Sequence, residues 1–178
     1  MSDNVYLGNP NLKKANTPIE WTEEMMVEFL KCKEDPVYFA KNHVKIVSLD
    51  EGLTQFEPYH FQEKLINNFH HNRFNICKMP RQTGKSTTVV SYLLHYAVFN
   101  DSVNIGILAN KAATARELLG RLQTAYENLP RWMQQGIIAW NKGSLELENG
   151  SKILAASTSA SAVRGMSFNI LFLDEFAF

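Results

Sequence analysis

Two cysteines in 178 residues, Cys32 and Cys77, are too few and too far apart for a disulfide framework or a metal knuckle. Both read as core packing, Cys77 within a short apolar segment. An excess of either charge is also lacking. The 18 Lys and Arg balance 18 Asp and Glu, so the formal net charge is zero. That supplies no general attraction for nucleic acid or an anionic membrane, and leaves any DNA footprint to another domain. No apolar run approaches the roughly 20 residues that cross a bilayer, and no leader-like segment precedes the first periodic stretch, so a reducing cytoplasm is the expected home. Internal repeats, heptads and low-complexity tracts are missing as well. Hydrophobic residues make up 45% of the chain, enough for one substantial core but not for two large domains.

What is present concentrates in two segments. Met79 to Ser86 reads Met-Pro-Arg-Gln-Thr-Gly-Lys-Ser, and further on Asn169-Ile-Leu-Phe-Leu ends in Asp174-Glu175. The first is most of a phosphate-binding loop. Asn75–Met79 reads as a buried strand and Ser86–Phe99 as a helix, with Gly84 at a bend where a Cβ close to a phosphate is not tolerated. Backbone N–H groups would face the ligand, Lys85 would meet the β and γ phosphates, and the Ser86 hydroxyl would join the Mg²⁺ shell. Met79 stands where the pattern G-x-x-x-x-G-K-[ST] has its first glycine. The second segment is an all-apolar strand of the type buried in a parallel sheet, whose carboxyl end is where ligands bind. Asp174 would hold Mg²⁺, and Glu175 would orient or deprotonate the attacking water of an ATP hydrolase.

Around this pair the patterns predict an α/β domain. Residues 1–20 read as a loose polar arm, Trp21–Lys33 as a helix capped by Thr22, and Pro36 as the opening of another. Val44–Val47 and Leu53–Phe56 form a candidate hairpin, and Tyr59–His70 a helix started near Pro58. In the helix after the loop, Val89, Leu93 and Ala97 form one apolar row and Val90, Leu94 and Val98 its neighbour, a face expected to pack on the sheet. Val103–Ala109 is the next strand, Ala112–Leu129 the next helix, and Ile137–Trp140 a strand. Leu145–Glu148 and Lys152–Ala156 flank Asn149-Gly150, the dipeptide favoured in a two-residue hairpin turn. Lys111, Arg116 and Arg121 recur near helical spacing, but Glu117 and Glu127 are interleaved with them and mark a solvated face.

Three features admit a sharp and a bland account. The Gln62 amide is able to pair with adenine and Tyr59 to stack on it, or the glutamine is solvated and Tyr59 and Phe61 are core. Arg81 has the reach to supply charge to a γ phosphate as an arginine finger does, or to form an ordinary salt bridge. Arg164 lies in the small-residue stretch Ser157–Gly165, either exposed at the ligand edge of the sheet or in a plain connecting loop.

Taken together, Pro-Tyr-x-x-Gln at 58–62, Arg81-Gln82-Thr83-Gly84-Lys85-Ser86, Gly106–Asn110, Trp140–Ser144, Val163-Arg164-Gly165 and Leu171–Phe178 resemble the ATPase domain of tailed-phage terminase large subunits, closest to the T4-like type. That family often lacks the first loop glycine, so Met79 fits the pattern. The resemblance runs from about residue 36 to the end. It implies a P-loop NTPase of the ASCE/RecA-like class, with a central, mostly parallel sheet flanked by helices and a small helical N-terminal region. Residues 1–35 would be an N-terminal arm and helix, and 36–178 an ATPase subdomain ending just after the Walker B motif. The coupling motif, second ATPase subdomain and nuclease would lie elsewhere.

The implied cofactors are ATP and Mg²⁺. By the resemblance Tyr59 and Gln62 fall on the adenine motif, Arg81 to Ser86 and the following Thr87 on the phosphate loop, Ser86 and Asp174 on the metal, and Glu175 on the catalytic base. Arg81 and Arg164 match arginines that act in cis or on a neighbour's site. The implied partners are double-stranded DNA, a portal protein, a terminase small subunit and further copies of the chain in a ring, in the cytoplasm of an infected bacterium and docked on a procapsid. A superfamily 2 helicase is the rival class. Its loop usually keeps more glycine, and its acidic box continues into a histidine or aspartate where Ala177 stands. A nucleotide-dependent binding module without turnover is the other, and it has no use for Glu175.

Overall fold

The computed structural model describes residues 4–48, 50–159 and 165–175. Its helices begin where the sequence supplies caps. Thr22 accepts a hydrogen bond from the Met25 backbone N–H at 3.3 Å and opens α1, Glu23–Glu34. Asp35 accepts from the Val37 and Tyr38 N–H groups at 2.8 and 3.0 Å and opens α2, Pro36–His43, with Pro36 in the first turn. Pro36 has no N–H, so the Cys32 carbonyl loses the donor that a continuing helix would bring. His95 from a later helix donates to it instead, through Nε2 at 2.8 Å. Burial holds His95 neutral, with its pKa lowered to about 4.

A hairpin follows, β3 (Lys45–Ser48) with β4 (Gly52–Gln55), and then α3, His60–His71. The expected strand at 75–79 is not formed. Phe74 is 82% and Ile76 100% exposed, so the apolar pattern that suggested burial is open to solvent. A strand needs a neighbour for its N–H and C=O groups, and among the described residues none reaches this segment.

The main sheet has the order β6-β7-β8-β5-β9, from Ile137–Trp140, Ser144–Leu147, Lys152–Ser157, Asn104–Ala109 and Ile170–Leu173. β5 runs parallel to β8 and to β9, whereas β6-β7 and β7-β8 are antiparallel, so the sheet is evenly mixed rather than mostly parallel. The hairpin at Asn149-Gly150 is present with a different turn. Leu147 N–H bonds to Ser151 O at 2.9 Å, and of the two central residues only Gly150 has positive φ, at 81°. This is the three-residue loop that ends in a left-handed residue. Asn149 is then free to donate through Nδ2 to Ala97 O and Asn100 O, at 2.9 and 3.0 Å.

Of the two long helices, α5 (Ala112–Glu127) lies across β5 and β8, while α4 (Lys85–Phe99) is packed by α5, α3 and α2. The apolar face of α4 therefore meets helices, and the helix is buried nearly all round. Residues 5–13 of the expected loose arm are ordered into strands. β1 (Val5–Tyr6) and β2 (Asn9–Lys13) pair, and the buried Gln134 amide fastens them to the domain. Gln134 accepts from Lys13 N–H at 3.0 Å and donates to Asn11 O, Leu129 O and Tyr126 O at 2.9, 3.2 and 3.3 Å.

Candidate nucleotide site

The loop before α4 is shaped by two left-handed residues, Gln82 (φ 60°) and Gly84 (φ 72°). Gly84 occupies the N-cap and offers no side-chain cap. The N–H groups of Lys85, Ser86 and Thr87 thus open the helix without intrahelical partners, at its electropositive end. Thr88 secures the turn through Oγ1 on Gly84 O at 3.0 Å, and Thr83 through Oγ1 on Pro80 O at 3.0 Å. Behind the loop sits Gln62, only 3% exposed. Its Oε1 accepts from the Tyr59 N–H at 2.8 Å and its Nε2 donates to Thr83 O at 3.3 Å. A methyl group on Gly84 would come under 3.0 Å from that Nε2. The small residue is therefore required both by its φ and by the glutamine packed against it.

β9 delivers the acidic pair to the same place. The Asp174 N–H donates to Leu108 O at 2.8 Å, continuing the β5-β9 ladder by one bond, and this sets the carboxylate at the carboxyl end of the strand. Asp174 is 8% exposed and its Oδ1 lies 3.6 Å from Lys85 Nζ. An almost buried carboxylate needs a cationic partner, and Lys85 is that partner here. Glu175, with φ 52°, turns the chain out of the strand and is exposed.

These groups border a cavity of about 950 Å³. Residues 81–87, Asp174 and Glu175 line one side; Val44 to Val47 and, on α5, Glu117, Arg121 and Thr124 line the other. Arg121 donates to the Glu117 carboxylate at 2.6 Å on that wall. The structure thus gathers Arg81, Gln82, Thr83, Gly84, Lys85, Ser86, Thr87, Asp174 and Glu175 around one space. It does not bring Tyr59 or Gln62 to the lining. Tyr59 is exposed, stacked on Phe61 with ring centroids 5.9 Å apart, and Gln62 supports the loop from behind. The bland account, a solvated glutamine beside two core aromatics, fails, since Gln62 is buried and both aromatics are exposed. Arg164 lies outside the described residues.

Sequence reasoning missed the far wall. Glu117 and Arg121 carry the spacing of a solvated ion pair, and no local signal announces that β3 crosses opposite the loop. Among the described residues, no helix is long and apolar enough to cross a membrane.

The domain is of the mixed α/β class, with a helix N-terminus and an acidic strand end bordering one cavity. Residues 76–178, more than half of the chain, match the family described as terminase large subunit, T4likevirus-type, N-terminal. The chain belongs to that terminase large subunit family. Its fold is similar to a crystal structure of the HK97 bacteriophage large terminase, with a TM-score of 0.64 and 17% identity over 79% of this chain. The chain spans 30% of the length of that HK97 protein.

Proposed function

We propose that this chain is the P-loop, RecA-like ATPase subdomain of a DNA-packaging motor, binding and hydrolysing Mg-ATP to drive double-stranded DNA into a procapsid. The observation that carries the proposal is the meeting of Lys85 and Asp174, 3.6 Å apart, beside the uncapped start of α4 on a cavity large enough for a nucleotide. The donor set suits the ligand. The N–H groups of Lys85, Ser86 and Thr87 and the Lys85 ammonium would receive the β and γ phosphates, while Ser86 Oγ and the Asp174 carboxylate are hard oxygen ligands suited to Mg²⁺. The metal would neutralise charge developing on the transferred phosphoryl group. Lys85 would hold the phosphates and Asp174 the metal, the two side chains giving up their mutual contact to do so.

In this reading Glu175 is the base that orients the attacking water, and Arg81 reaches the γ phosphate from the loop. Arg164 serves a neighbour's site in a ring. Gln62 serves the site from behind, by holding Thr83 of the loop, and an adenine role for it and for Tyr59 would require both side chains to move toward the cavity. Residues 1–35 are an arm and helix attached to the ATPase subdomain at 36–178. Among the described residues, segment 74–79 is largely exposed and β9 has a strand neighbour on one side only, so both carry backbone groups able to pair with a further strand. A portal, a small subunit and sister copies are the partners of the whole motor in the bacterial cytoplasm.

The test is titration of the protein with a fluorescent ATP analogue and Mg²⁺, competed by ATP and GTP. ATP-preferring binding that disappears in Lys85→Ala is expected. Binding unchanged by that substitution would remove the phosphate loop from the proposal.

A further inference from the structure

The corner between α1 and α2 collects three different metal-binding side chains. Glu28 and Cys32 stand four residues apart on α1, hence on one face of the helix. His43 closes α2 opposite them. Glu28 Oε1 lies 2.7 Å from His43 Nε2 and 3.8 Å from Cys32 Sγ, and one ligand atom from each residue falls within 4.8 Å of the others. Tyr38 donates its hydroxyl to the other carboxylate oxygen, Glu28 Oε2, at 3.0 Å. The His43 ring is held edge-on to Trp132 and stacked on Phe39, with centroids 6.3 Å from each. Cys32 is fully buried.

We propose that Glu28, Cys32 and His43 bind a zinc-class divalent cation that fastens α1 to α2, with water completing a tetrahedral shell. A thiolate, an imidazole and a carboxylate are the mixed set that a borderline-soft ion takes. With metal-ligand bonds of about 2.0–2.3 Å, tetrahedral geometry separates neighbouring ligand atoms by roughly 3.2–3.7 Å. The separations of 2.7 and 3.8 Å lie on either side of that range and all three ligand atoms fall within 4.8 Å, so side-chain adjustment must draw them onto the ion. On binding, the Cys32 thiol proton and the Nε2 hydrogen shared with Glu28 leave to solvent, and His43, carrying its hydrogen on Nδ1, ligates through Nε2. Tyr38, bonded to the carboxylate oxygen away from the ion, orients the Glu28 ligand. This site is separate from the nucleotide cavity, whose hard-oxygen ligands contain no sulfur.

The experiment is titration of chelator-stripped protein with Co²⁺, followed by competition with Zn²⁺. One equivalent with a thiolate-to-cobalt charge-transfer band, bleached by zinc and retained in Cys77→Ser, is expected. The band should vanish in Cys32→Ser, and Tyr38→Phe should weaken zinc by roughly tenfold. His43→Gln, at a less buried position, tests the site should Cys32→Ser fail to fold, and circular dichroism verifies the fold of each variant. Absence of a thiolate band in folded wild-type protein, or a band unchanged in folded His43→Gln, overturns the proposal.

Discussion

Gly84 offers a quantitative test of how the loop is built. Alanine in the left-handed region costs about 1–2 kcal/mol by itself. Its methyl group would also come under 3.0 Å from Gln62 Nε2 and push the amide from its place. That breaks the 3.3 Å bond to Thr83 O and strains the 2.8 Å bond from the Tyr59 N–H, each worth about 1 kcal/mol net. Gly84→Ala should therefore destabilise the protein by about 2–4 kcal/mol. In a Gln62→Ala background the obstruction is gone and only the backbone term of about 1–2 kcal/mol remains. Urea unfolding of wild type, both single variants and the double variant closes the cycle, and a coupling of about 1–2 kcal/mol is expected. Equal costs of Gly84→Ala in the two backgrounds would refute the packing of Gln62 against the loop.

Two further outcomes concern the attachment of the N-terminal arm. Gln134→Leu strips partners from the Lys13 N–H and from three carbonyls, so urea unfolding should show a loss of about 2–4 kcal/mol and residues 4–20 should become protease-sensitive; a loss below about 1 kcal/mol contradicts the account. For Glu148, burial raises the pKa, but the Asn16 and Gly136 N–H groups and Lys13 outweigh it and hold the carboxyl below its usual value. Its contribution is accordingly complete above the unfolded pKa of about 4.3 and disappears as pH falls through the lower folded value. Glu148→Gln should flatten the acid limb of the stability curve below about pH 4, measured by urea midpoints, and an acid limb identical to wild type would contradict the assignment.

Much of this was legible because short local signals act locally. Thr22 and Asp35-Pro36 each start a helix where a cap or missing donor demands it, Gly84 starts one through its left-handed turn, and the apolar run before Asp174 is a strand in the expected place. The failures share another physics. Asn75–Met79 has the composition of a strand, but pairing is decided by a neighbour and not by the segment. Asn149 forgoes the two-residue turn because its amide is committed to the end of α4, a contact across 49 and 52 positions. The arm holds to the domain through Gln134, more than a hundred positions away. At the site, the loop and acidic pair were visible as motifs. The interior role of Gln62 and the wall formed by β3 and α5 depend on chain crossings that no motif encodes.

The Asn149 amide also gives α4 a mechanical character. It grips the carbonyls of Ala97 and Asn100 at the far end of a helix of 15 residues, whose other end carries Lys85. Such a helix is roughly 22 Å long, so a tilt of about 5° about the gripped end carries Lys85 through about 2 Å. His95 rides on the same helix and holds the last turn of α1 by the Cys32 carbonyl. One helix thus joins the loop that bears Lys85 to the β7-β8 turn and, through the His95 imidazole beside the Phe99 ring packed on Phe29 and Phe39, to α1 and α2.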